Sequence, residues 1–149
     1  MAETDLIKLY SGKILALAAD IPHSGRLDGP DGSATKRSPL CGSNVTVDVS
    51  VEDGRITDFA QDVRACALGQ ASASVLGAVA IGRTRTEIET ARHALETMLV
   101  ADGPPPSEPF EGFAVLMPAR DFTNRHKSIL LALDATAEAM KLAEQSACA

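Results

Sequence analysis

The chain has 149 residues, enough for one hydrophobic core, and the expectation is a single domain spanning residues 1–149. It is 45% hydrophobic but only 3% aromatic, with no Trp, so the core must be built from Ala, Val, Leu and Ile, and there is little aromatic surface on which bases could stack. A formal net charge of -6 with scattered Lys and Arg argues against nucleic acid and against an anionic membrane, leaving small molecules, metals or proteins as partners.

Met1-Ala-Glu-Thr-Asp5 has no basic segment followed by an apolar one, and no stretch approaches the ~18 apolar residues of a membrane span, so a cytoplasmic location is expected. Apolar residues Leu6, Leu9, Ile14, Leu15 and Leu17 predict a helix over Asp5 to Ala19, with Gly12 a weak point and Pro22 and Gly25 ending it. Asp28-Gly-Pro-Asp-Gly32 is a turn, and Ser33 to Ser38 reads as a short polar edge strand. Val45, Val47, Val49 and Val51 alternate with polar residues and predict a strand. Asp53-Gly54 supplies a tight turn, and Arg55 to Ala65 returns as a second strand whose broken alternation predicts a bulge near Asp58.

Small residues from Ala67 to Ile81 predict a helix able to approach its neighbours closely, stopped at Gly82. Thr84-Arg-Thr-Glu87 fits a capping box before an apolar stripe of Ile88, Ala91, Leu95, Met98 and Leu99. Asp102 to Pro109 is a Pro-rich loop, Phe110 to Met117 one or two helical turns, and Lys127 to Glu144 a final amphipathic helix. The fold class is α+β, a small antiparallel sheet of about three strands packed against helices.

The hairpin is bracketed by Cys41, in Pro39-Leu-Cys41-Gly-Ser43, and by Cys66, so its geometry brings two thiols toward one point. Three cysteines in a reducing compartment are poor material for disulfides, which leaves metal chemistry, sulfur transfer or plain burial. Cys66 precedes a predicted helix whose amino-terminal dipole favours an anionic sulfur; the plain alternative is a small buried residue. Cys41, next to Gly42, suits an exposed loop open to a ligand. Cys148 reads as a tail thiol, and His23 and His93 as surface residues.

The order of these motifs, with Cys41-Gly, the Val-rich hairpin, Ala65-Cys66 before Ala-Ser-Ala-Ser, and Arg125-His-Lys-Ser128, resembles the iron-sulfur cluster assembly scaffolds of the NifU N-terminal/IscU type, and in particular the SufU-like branch. Cys41 and Cys66 match the family's first two cysteines. Ser43 stands where the family has a ligand aspartate, and Ser128 where it has its third cysteine. The resemblance implies a NifU/IscU-like fold and a non-enzymatic scaffold or sulfur acceptor. Iron or zinc would be bound through Cys41 and Cys66, and sulfur received from a cysteine desulfurase. It further implies a labile iron-sulfur cluster or zinc as cofactor, client proteins as recipients, and two chains sharing one cluster as an open question.

Ser43, Ser128 and His126 are the weak candidates to complete the ligand set, since hydroxyls are poor donors to soft metals while an imidazole is a good one. For His126 the ordinary alternative is an exposed loop residue. Arg125 is a supporting cation for a carboxylate or persulfide, and Lys127 matches the family's Lys before the third cysteine; the alternative for each is a solvated charge. Two further readings compete. One is a degenerate family member acting as a protein-interaction or regulatory module. The other, ranked last, is a thiol-redox enzyme cycling a disulfide between Cys41 and Cys66, which lacks a Cys-x-x-Cys motif. No Ser/His/Asp order, phosphate loop or His-Glu-x-x-His suggests catalysis.

Overall fold

The computed structural model describes residues 11–39 and 42–147. Cys41, Cys148 and the first part of the predicted amino-terminal helix, Asp5 to Tyr10, lie outside the described residues. Within them, helix α1 runs Gly12–Ala19, capped by Ser11, whose Oγ accepts the Ile14 N–H at 3.4 Å. Gly12 is thus the first turn of the described helix rather than a weak point in its middle. Ile14 is buried, whereas Leu15 is 51% exposed.

Strands β1 (Gly32–Arg37), β2 (Asn44–Glu52) and β3 (Arg55–Arg64) form an antiparallel sheet in that order. Val45, Val47 and Val49 are fully buried on the face that packs against the last helix, as the alternation requires. Asp53 and Gly54 close the hairpin with φ of 54° and 76°. The register shifts where Ser50 pairs with Asp58 but Val51 with Ile56, so Thr57 is the additional residue. That single insertion explains the lost alternation: Ile56 and Phe59, three apart, both reach the core.

Helix α2 (Ala67–Val79) is buried along most of its length. Helix α3 (Arg85–Val100) begins with the expected capping box: the Glu87 N–H donates to Thr84 Oγ1 at 3.2 Å and the Thr84 N–H to Glu87 Oε1 at 3.1 Å. All five residues of its predicted stripe are buried. Helix α4 (His126–Ala147) lies across β1 and β2 and against α2 and α3. At Gly32 the sheet touches the α4 backbone, because a Cβ there would sit 2.0 Å from the Ala139 carbonyl oxygen.

Between α3 and α4 the chain forms a 3₁₀ helix, Glu111–Asp121, then a short one, Thr123–Arg125. It is longer than the one or two turns expected. Its buried residues Phe113, Leu116 and Ala119 recur every third position, the period of a 3₁₀ helix, and buried Phe110 precedes them in step.

The segment between α1 and β1 is fastened to the sheet at Gln61, at Asp48 and, through Asp31, at Val49 and Val51. Ser24 forms a parallel bridge to Gln61 on the free margin of β3, with the Gln61 N–H donating to the His23 carbonyl at 2.9 Å and the Gly25 N–H to the Gln61 carbonyl at 2.8 Å. Asp48, on the polar side of β2, is fully buried beneath it. Its carboxylate accepts from Arg26 Nε at 2.7 Å, Arg26 Nη2 at 3.1 Å, the Leu27 N–H at 3.0 Å and the Ser33 hydroxyl. Burial pushes this carboxyl up, but the hydrogen bonds from Arg26, Ser33 and Leu27 together outweigh it and hold it below its ordinary value.

Candidate functional site

Cys66 follows directly on the end of β3 and is the amino-terminal cap residue of α2, with extended φ and ψ of -66° and 170° and no capping bond from its side chain. It is half-buried and a free thiol. The Gln70 side chain, donating to the Ala65 carbonyl at 2.8 Å, fixes the backbone beside it. Ser128 lies in the first turn of α4, 1% exposed, with its Oγ 3.6 Å from Cys66 Sγ. Ser128 Oγ in turn donates to Ser43 Oγ at 3.1 Å. Three positions remote in sequence therefore form one chain of contacts, from the loop before β2 through the start of α4 to the sulfur at the start of α2.

The loop that carries Ser43 is closed by its backbone: the Ser38 N–H donates to the Ser43 carbonyl at 2.8 Å and the Gly42 N–H to the Ser38 carbonyl at 3.0 Å, with Gly42 at φ 70°. Opposite, Gly69 is what allows α2 to come against α4. A Cβ there would be 2.7 Å from Ser128 Oγ and 2.8 Å from Ala65 Cβ. Gly69 was not singled out from sequence as a site residue, although the run of small residues around it signals close approach.

The remaining candidates are placed differently. His126 is buried, not in an exposed loop, and its Nε2 meets the carbonyl oxygens of Ala119 at 2.9 Å and Arg120 at 3.0 Å. That nitrogen is a donor committed to the backbone, tying the 3₁₀ helix to α4, so only Nδ1 is left for any ligand. Arg125 is half-buried, with no side-chain partner among the described residues, and Lys127 is exposed.

Residues 9–108 match the NifU-like N-terminal domain. The chain belongs to that family. This NifU-like domain is 42% identical to a nitrogen-fixing NifU-like protein (N-terminal) from Brucella abortus, whose crystal structure superposes with a TM-score of 0.91 over 95% of this chain and 98% of the other. It is also 26% identical over 141 residues to the iron-sulfur cluster assembly scaffold protein IscU of Streptococcus pyogenes serotype M1, covering 95% of this chain and 88% of that one. A SUF-system scaffold candidate from Fervidobacterium islandicum AW-1 shares the fold alone, with a TM-score of 0.78 at 21% identity over 90% of this chain and 98% of that one. The NifU/IscU-like α+β architecture expected from sequence is the one observed.

The described donors of this NifU-like domain do not by themselves make a closed tetrahedral zinc site. Such a site takes about four thiolate, imidazole or carboxylate ligands. The described residues bring together one thiol and two hydroxyls, and Ser128 spends its proton on Ser43. Among the described residues no group of three or more His, Cys, Asp or Glu could hold a metal ion. No helix of the described residues is long and apolar enough to cross a membrane.

Proposed function

We propose that this NifU-like domain serves iron-sulfur cluster assembly as a sulfur acceptor and weak scaffold. Cys66 takes sulfur from a cysteine desulfurase, and iron and sulfide are carried as cargo between Cys66 and Cys41 for delivery to client proteins. The observation that supports this most is the Cys66 thiol, half-open at the end of α2 and 3.6 Å from a buried hydroxyl. The family relationship, and the description of its Streptococcus relative as an IscU scaffold, point the same way.

The transfer step balances without a further reagent. The Cys66 thiolate attacks the outer sulfur of a desulfurase persulfide, a new S–S bond forms on Cys66, the donor's S–S bond breaks, and the donor cysteine leaves as thiolate. Ser128 has one proton and two lone pairs. With Cys66 protonated, Ser128 accepts from the thiol and donates to Ser43; with Cys66 ionised, its proton turns to the sulfur and Ser43 donates in its place. The pair thus follows the charge on sulfur without supplying any of its own.

A second reading, an interaction module without cargo, is favoured by that same Ser43–Ser128 contact, where the family has aspartate and cysteine. Two measurements separate the two. Under the first, incubation with a desulfurase and cysteine adds one sulfur, about 32 Da, to Cys66, and anaerobic iron and sulfide produce visible charge-transfer absorbance that Cys66→Ala or Cys41→Ala removes. Absence of both the added mass and the absorbance leaves the interaction module.

A further inference from the structure

Away from the Cys66 cluster, positive charge gathers along one side of α4. A groove of 490 Å³ lies between the end of β1, α3 and α4. Two of its six cations are occupied: Arg92 donates to Asp134 at 2.8 Å and to Glu96 at 3.0 Å, and Arg85 pairs with Glu144 at 3.0 Å. The other four, Lys36, Arg37, Lys127 and Lys141, have no ion-pair partner among the described residues. In a chain of net charge -6, a lining of six cations against the three acids Glu89, Asp134 and Glu138 is a local reversal of sign.

We infer that this groove docks an extended, Asp- and Glu-rich segment of a partner protein. Lys127 and Lys141 stand 14 residues apart on one helix, about 21 Å at the helical rise, and an extended peptide of about six residues covers the same distance. The lining also carries Glu89, Asp134 and Glu138, which interrupt the positive field that a continuous phosphate backbone would need but leave it matched to a peptide of mixed, mainly acidic character. Lys127 immediately precedes Ser128, and Lys36 and Arg37 lead into the loop that holds Ser43. A segment seated here has one end at the Cys66 cluster. Its purpose rests on the sulfur-acceptor reading, whereas the docking itself stands or falls without sulfur or metal.

The test is fluorescence anisotropy of a fluorescein-labelled octaglutamate peptide at physiological salt, with wild type, Lys127→Glu/Lys141→Glu, Lys141→Glu alone, and Lys13→Glu, a control on α1 that lines a different groove. Saturable binding that weakens about tenfold or more in the double variant, by an intermediate factor in the single one, and not in the control is the expected result. Thermal unfolding of each variant shows that it is folded, and the single variant carries the test if the double one is not. Equal weakening in Lys13→Glu, no saturable binding by wild type, or tighter binding of an eight-nucleotide oligothymidine than of the peptide would overturn the proposal. Sulfur loading of wild-type Cys66 is assayed separately and decides the sulfur-acceptor reading alone, not the docking.

Discussion

Two polar clusters are buried beside β2, and they are built on opposite principles. Near the middle of the strand, Asp48 brings a full charge into the protein and finds four donors there, from Arg26, Leu27 and Ser33. Just before the strand begins, Ser43 meets Ser128 and Cys66 through neutral groups, one contact being a 3.6 Å approach of hydroxyl to sulfur. A buried charge with a complete set of donors has no capacity for anything else, so the Asp48 cluster is a structural pin. The hydroxyl and thiol cluster has protons that can turn and a sulfur half-open to solvent. Reactivity belongs at that end.

The sharpest way to erase the difference is to give the hydroxyl and thiol cluster a carboxylate and a second sulfur. Ser43→Asp combined with Ser128→Cys adds the family's missing ligands, and zinc affinity, measured by competition with a chromophoric chelator, is expected to rise on the order of a thousandfold or more. An unchanged affinity would mean that the loop before β2 and the start of α4 are not arranged for coordination.

Breaking the pin instead should cost stability and leave the thiol alone. Asp48→Ala takes the acceptor from the Leu27 N–H and the Ser33 hydroxyl while the exposed Arg26 turns to water, and a loss on the order of 1 to 3 kcal/mol in denaturant unfolding is expected, with the alkylation rate of Cys66 unchanged. The pH dependence has a definite sign. Because the folded Asp48 carboxyl sits below its ordinary value, its contribution is present above the unfolded value near ~3.9 and is lost as pH falls through the folded one. Asp48→Asn should therefore flatten the acid limb of the stability profile.

Smaller effects probe the other cluster. Gly69→Ala places a methyl group 2.7 Å from Ser128 Oγ, so the serine must shift. A cost of about 1 to 3 kcal/mol is expected, together with a changed alkylation rate at Cys66, which separates it from Asp48→Ala. Ser128→Ala removes a single hydroxyl and should cost about 1 kcal/mol while slowing persulfide transfer to Cys66, read by mass spectrometry. A transfer rate equal to wild type would show that the hydroxyl does not follow the charge on sulfur.

Local signals carried much of the architecture. The valine alternation, the Asp53-Gly54 turn and the Thr84–Glu87 box each specify their own neighbourhood through bonds a few residues long, and all three are present. What remained hidden depends on distant partners. Asp48 sits in the polar phase of β2 and reads as a solvated residue; only the overlying Arg26–Leu27 backbone buries it. Phe110, Phe113, Leu116 and Ala119 repeat every third residue, a period that a search for 3.6-residue helices passes over. At the candidate site, the substituted positions Ser43 and Ser128 were recognisable from the motif order, but the contact of Ser128 with Cys66 sets α2 against α4 beside Gly69, which no local pattern states.

The bridge from Ser24 to Gln61 has an effect on how these molecules behave toward one another. It engages the outward N–H and C=O of Gln61, so a stray strand cannot run uninterrupted along the outer margin of β3, and the opposite margin, β1, ends in Lys36 and Arg37. A sheet interrupted on one flank and guarded by like charges at the end of the other disfavours stacking edge to edge. Amyloid-type growth of one chain on another is thereby disfavoured, while the thiol end stays open to visitors.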